Sequence, residues 1–102
     1  MELGEEANGQ QVDVSLEAEL TLRLSERPTT GFRWQPLSLG EPVLHMRGDD
    51  TELAAGVGGT AWRVWHFVAA QPGNGTIELA YRRAWEASAD PTRRFSLRVR
   101  VT

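Results

Sequence analysis

The sequence predicts an all-β domain, an antiparallel sandwich of about seven to eight short strands. Three observations predict it. From Val12 to Ser25 apolar and polar residues alternate, the period of a strand with one buried face. Further along, short runs rich in β-branched and aromatic residues are separated by turns containing glycine and proline. No stretch repeats its apolar residues at helical spacing, and there is no internal repeat. So many short strands in a chain of 102 residues point to an immunoglobulin-like architecture. The cysteine–tryptophan–cysteine signature of true immunoglobulin domains is missing, since the chain has no cysteine.

Length and composition agree with one modest core. The chain is 40% hydrophobic and 25% charged, with a formal net charge of -3. That mild charge gives no reason to expect nucleic acid or an anionic membrane as partner. No apolar run is long enough to cross a bilayer as a helix. Without cysteine, disulfides and thiolate chemistry are excluded and the redox compartment stays open. Met1 to Glu6 has neither the basic start nor the apolar segment of a secretory signal. The expected location is the cytoplasm if this is the full translation, and the periplasm or exterior if a leader has been removed.

Residues 1–10, polar and acidic with Gly4 and Gly9, are expected as a flexible N-terminal tail, leaving 11–102 as the domain. Val12, Val14, Leu16, Ala18, Leu20, Leu22 and Leu24 then alternate with polar residues. That run is long for one strand, so two are expected, with a break near Glu17–Ala18. After Arg27-Pro28-Thr29-Thr30-Gly31, a strand should run from Phe32 to Leu37, with Pro36 confining its end to an edge or bulge. Val43 to Met46 reads as a short strand, and Gly48 to Thr60 as a long irregular loop. Ala61 to Ala70 is apolar on both faces, with Trp65, Phe67 and Ala69 on one and Trp62, Val64, His66 and Val68 on the other. It reads as a central strand, or as one partly covered by a loop. Pro72 to Gly75 is a turn, and Ile77, Leu79 and Tyr81 point inward on a strand ending at Arg83. Ala84 to Arg93 is a further loop. Phe95, Leu97, Val99 and Val101 face the core of the last strand.

Three of these loops look built to be presented. Pro28 fixes its own φ and drives Arg27 towards an extended conformation, while Phe32 and Trp34 share one strand face behind the turn. Successive antiparallel strands place alternate loops at the same end. Arg27–Gly31, Gly56–Thr60 and Ala84–Pro91 should therefore cluster at one pole.

Catalytic patterns are absent. Gly56-Val57-Gly58-Gly59-Thr60-Ala61 imitates a dinucleotide-binding fingerprint, but Trp62-Arg63-Val64-Trp65 behind it is a strand, not the helix that motif requires. His45 and His66 lie on different strands without the spacing of metal ligands. Ser88 has no neighbouring base to activate it. No enzyme, metal or cofactor is expected.

The loop residues also match a known family. Arg27-Pro28-Thr29-Thr30-Gly31-Phe32-Arg33-Trp34 resembles the N-P-T-T-G-[FY]-x-W segment of the chagasin-like inhibitors of cysteine peptidases. Gly56-Val57-Gly58-Gly59-Thr60 resembles that family's glycine-rich loop, and Arg83-Ala84-Trp85-Glu86 its R-P-W segment. The three motifs occur in the family's order and spacing, and the similarity runs from about Val12 to Val101. The resemblance implies a reversible, non-covalent inhibitor of papain-like (clan CA) cysteine peptidases that acts as a monomer. It also implies a wedge of three loops (Arg27–Gly31, Gly56–Thr60, Arg83–Pro91) entering the active-site cleft. Pro28, Thr29, Thr30, Gly31 and Phe32 would lie near the catalytic cysteine and histidine. Gly56, Val57, Gly58, Gly59 and Thr60 would cross the cleft as a substrate backbone does, and Arg83 and Trp85 would pack on an aromatic ledge.

Two positions depart from the family pattern. Arg27 stands where the family has asparagine, and adds a cation suited to an acidic rim. Ala84 stands where it has proline, which leaves φ free just before Trp85. Among the remaining aromatics, Trp34 and Trp65 read as core, Trp62 as either core or contact, and Trp85 as an exposed anchor. Arg83 either reaches an internal carboxylate or belongs to the presented loop. A different class of function stays open on the residues alone, a non-inhibitory immunoglobulin-like module for carbohydrate or an adhesion partner.

Overall fold

The computed structural model describes residues 1–26, 31–53, 61–83 and 93–102. Eight strands form two four-stranded sheets among these residues. They are β1 (Glu2–Leu3), β2 (Gln11–Val14), β3 (Glu19–Glu26), β4 (Phe32–Leu39), β5 (Leu44–Leu53), β6 (Ala61–Ala69), β7 (Gly73–Arg83) and β8 (Arg93–Val101). One sheet has the order β1-β3-β6-β5, the other β2-β8-β7-β4. The expected immunoglobulin-like sandwich is the fold.

Alternation in sequence becomes alternation in burial. Leu20, Leu22 and Leu24 of β3 are buried between the sheets, as are Phe95, Leu97, Val99 and Val101 of β8. From β6, Trp65, Phe67 and Ala69 are buried as expected, and Val64 on the opposite row is buried too. Val64 stands in register between Arg23 and Asp50, so its cross-strand neighbours on both sides are charged. Trp62 lies on the outer row and is 37% exposed.

The long alternating run divides where expected. β2 joins one sheet and β3 the other, and the chain changes sheet at Ser15–Ala18. Glu17 adopts a φ of 71° there, with Ala18 N–H donating to Ser15 O. Pro36 also behaves as expected, on edge strand β4 at a shift of register between Pro36 and Ser38.

Two expectations are corrected. The loop expected from Gly48 to Thr60 is strand β5 as far as Leu53, paired with β6 down to Leu53 opposite Ala61. Gly48 marks only a bulge, at the shift between Met46 and Gly48. Asp49, Asp50 and Glu52 made this stretch look like a loop. On the edge strand those acids meet basic side chains instead, Arg63 beside Asp49, the His66 imidazole beside Asp50, and Arg23 beside Glu52. The rest of the expected loop, 54–60, lies outside the described residues.

The second correction concerns the N-terminus. Instead of a flexible tail, residues 1–10 carry β1, parallel to β3, and a 3-10 turn at Glu5–Ala7. Ala7 is 4% exposed and belongs to the core. Half-buried Leu3 packs against the same core, and Asn8 and Gly9 also bond β8. Ser96 N–H donates to Asn8 Oδ1 at 2.9 Å, and Gly9 N–H donates to Ser96 O at 2.7 Å.

Candidate functional site at the loop-bearing pole

Strand register shows which ends of the sandwich lie together. Glu26 at the end of β3 and Leu53 at the end of β5 both stand opposite Ala61, the first residue of β6. In the other sheet Phe32 opens β4 opposite Arg83, the last residue of β7, and Arg93 opens β8 opposite Tyr81. Hydrogen bonds from Trp34 to Ser25 and Glu26 join the two sheets at these same ends. The segments 27–30, 54–60 and 84–92 therefore leave from and return to one pole.

The base of that pole is an aromatic layer braced by cations. Trp34, 5% exposed, packs on Tyr81 with ring centroids 4.9 Å apart. Phe32 stacks on the same tyrosine at 5.5 Å and 23°. The Arg83 guanidinium lies 4.5 Å over Phe32, and that of Arg93 lies 5.4 Å over Trp34 and 5.8 Å over Tyr81. Such contacts hold planar groups in fixed orientations, each contributing about 0.5–2 kcal/mol.

A buried carboxylate completes the base. Glu26 is 2% exposed, and its Oε2 accepts the Trp34 backbone N–H at 3.0 Å. Its Oε1 has no hydrogen bond but stands 3.7 Å from Nε of the largely exposed Arg33. The Trp34 indole N–H donates to Ser25 O at 2.9 Å. A buried carboxylate is costly unless it is bonded and paired, so both contacts are structural requirements.

Of the residues expected at the site, Gly31, Phe32 and Arg83 are described. Gly31 takes a φ of 81°, the left-handed conformation that favours glycine at the exit of the turn. Phe32 is half-buried at the root of the pole, and Arg83 lies over its ring. Pro28, Thr29 and Thr30, then Gly56, Val57, Gly58, Gly59 and Thr60, and finally Trp85 lie outside the described residues. The readings of Arg27, Ala84 and Ser88 lie there too. Trp34 and Trp65 are core as expected, and Trp62 is a surface residue of the sheet face. Sequence reasoning missed Glu26, although the inward row Leu20, Leu22, Leu24 reaches it at the next step. Among the described residues no cluster of three histidine, cysteine, aspartate or glutamate side chains is placed to hold a metal ion. No helix there is long and apolar enough to span a membrane.

The family model for the chagasin family peptidase inhibitors I42 matches residues 13–99, most of the chain. The chain belongs to the chagasin family. It is accordingly a peptidase inhibitor and not an enzyme. Solved structures of similar fold include the cysteine protease inhibitor EhICP2 from Entamoeba histolytica, at 21% identity and a TM-score of 0.86. That match covers 99% of this chain and 93% of EhICP2. Amebosin is 28% identical with a TM-score of 0.77, over 99% of this chain and 96% of its own. PbICP-C, solved in complex with falcipain-2, shares 14% identity and a TM-score of 0.64, over 100% and 88%. No curated protein sequence matches this chagasin-family chain significantly.

Proposed function

We propose that the chain inhibits papain-like cysteine peptidases reversibly and without covalent chemistry, by seating this pole in the active-site cleft. The observation that carries the reading is the meeting, over one braced base, of the six strand ends that flank the three family motifs in sequence. The solved complex of a fold relative with falcipain-2 supports a peptidase as partner. In this reading Pro28, Thr29, Thr30, Gly31 and Phe32 lie beside the catalytic cysteine and histidine. Gly56 to Thr60 crosses the cleft, where glycines let the backbone approach without side chains to clash with varied subsites. Trp85 is an aromatic anchor, with Arg83 at its root.

A base that is already rigid loses little entropy when it docks, so tight binding needs no covalent bond. A carbohydrate or adhesion module would be expected to carry neither the family match nor these motifs. Titration of papain with the protein tests the proposal. Stoichiometric, reversible loss of peptidase activity is the expected result, with the inhibitor chain recovered intact. Unimpaired turnover across several papain-like enzymes, or a chain cut between Gly56 and Thr60 as inhibition is lost, would overturn it.

A further inference from the structure

The first ten residues climb along one sheet and descend along the other. β1 runs parallel to β3 towards the loop-bearing pole, and β2 runs parallel to β8 away from it. The turn between them, Glu5–Ala7, lies on the pole side of both strands. There the carboxylate of Glu5 reaches two other elements. Its Oε1 accepts the Ser25 hydroxyl at 2.5 Å and the Ser25 backbone N–H at 3.1 Å. Its Oε2 stands 3.3 Å from Nη2 of Arg93. Ser25 is the penultimate residue of β3, next to the root of segment 27–30, and Arg93 follows segment 84–92 directly.

We propose that Glu5 is a positioning residue for inhibition, its carboxylate clamping the root of the first presented segment to the root of the third. The inference rests on the function proposed above. An exposed ion pair alone would carry little weight. This carboxylate, however, takes three contacts from two sheets, and neither partner is free to wander. Arg93 is held over Trp34 and Tyr81, and the Glu5 turn is anchored by buried Ala7 and by the bonds of Asn8 and Gly9 to β8. Strand ends open locally at low free-energy cost unless something ties them. Tied, the strand ends themselves are fixed before a peptidase arrives, and less ordering is left to occur on docking.

The clamp depends on charge. Among the described residues the charged groups around Glu5 are Arg93 from β8, Arg23 from β3, and Glu2 and Glu6 of its own segment. β6 adds only Trp62 to the groove that Glu5 lines. Arg23 is engaged by Glu52, and Glu6 bonds the Gly4 N–H. The Ser25 hydroxyl is the largest influence on the Glu5 carboxyl. Partial burial opposes it, while the Ser25 N–H and the Arg93 charge add to it. The net result lies below the ordinary value of 4.5. A carboxyl lowered by folding keeps its bonds above the ordinary value and loses them as pH falls through the lowered one.

The test compares the natural chain with Glu5→Gln and Ser25→Ala, each binding one papain-like peptidase from neutral pH down through the carboxylate range. Titration of the peptidase affects all three alike, so the ratio of dissociation constants reports the clamp. Glu5→Gln should bind about three- to tenfold more weakly at neutral pH, mostly through faster dissociation. That ratio should fall towards one on acidification. Ser25→Ala should weaken binding in the same direction. In the free protein, Glu5→Gln should speed amide exchange at Ser25, Phe32 and Arg93 but not at Gly75 and Thr76, at the far end. Equal binding by Glu5→Gln and the natural chain at neutral pH overturns the proposal, whatever happens to the melting temperature. A ratio that does not change with pH overturns it too. Should the natural chain bind no papain-like enzyme, the proposed function fails, and unchanged exchange at those three amides would separately sink the clamp.

Discussion

The carboxylate of Glu26, at the end of β3, accepts the backbone N–H of Trp34 on β4 at 3.0 Å, and it does so inside the core. The bond spans the first presented segment and joins the two sheets directly beneath it. A backbone donor and a carboxyl acceptor buried together make a bond that is expensive to leave half-made.

Glu26→Ala should therefore lower folding stability by about 2–4 kcal/mol, since it strands a buried N–H and opens a cavity. Arg33→Ala should cost less than about 1 kcal/mol, because Arg33 is largely exposed and only its ion pair is lost. Denaturant midpoints of the two variants check this. Equal losses would mean that the ion pair, not the backbone bond, holds Glu26 in the core.

How much of this was legible in the sequence can be argued residue by residue. Leu20, Leu22, Leu24, Phe95, Leu97 and Val99 announced their strands by period alone, because each strand buries one face. Glu26 lay on the same inward row, but a charged residue before Arg27-Pro28 reads naturally as the start of a loop. Asp49 to Glu52 hid a strand for a related reason. An edge strand with a solvated face can be acidic when its neighbours supply arginine and histidine, and that pairing is invisible until register is known. Glu5 was least legible of all. Its partners are Ser25 and Arg93, and nothing local in the first ten residues distinguishes a clamp from a tail. The three motifs of the pole were legible because their residue types are unusual in order and spacing.

Trp85 and Trp34 should separate binding from stability. Trp34 is in the core, packed on Tyr81 and bonded to Ser25 O, so Trp34→Ala should cost about 3–5 kcal/mol of stability. Trp85→Ala should instead weaken peptidase binding by about 2–4 kcal/mol, the size of an aromatic hot spot, with little change in unfolding. Thermal unfolding and an inhibition constant, measured on both variants, decide the matter. Unfolding by Trp85→Ala with unchanged inhibition per folded molecule would reverse the assignment.

The end of the sandwich away from the pole makes a useful control. A Cβ placed on Gly75 would come within 2.8 Å of Gly40 O, a backbone atom that cannot swing aside. Gly75→Ala should thus destabilise the fold by about 1–3 kcal/mol through overpacking. Its inhibition constant, measured well below the melting temperature, should stay the same. A Gly75→Ala protein of normal stability would mean that the turn at Gly40 yields easily.

Ala84 tests the third motif where this chain departs from its family. The family motif places proline between the arginine and the tryptophan, and Arg83 and Trp85 flank alanine here. Where the native backbone already suits it, X→Pro stabilises by about 0.4–1 kcal/mol, by restricting the unfolded chain. The same restriction acts on the loop before docking, so binding should gain a comparable amount. Ala84→Pro is therefore expected to tighten inhibition severalfold, mostly through slower dissociation, with the melting temperature unchanged or slightly raised. Inhibition constants and dissociation rates of both proteins against one papain-like peptidase provide the measurement. Proline also removes an N–H donor. If Ala84→Pro instead weakens inhibition, the backbone N–H of residue 84 is in use, and the loop after Arg83 follows a course that the proline-bearing motif does not describe.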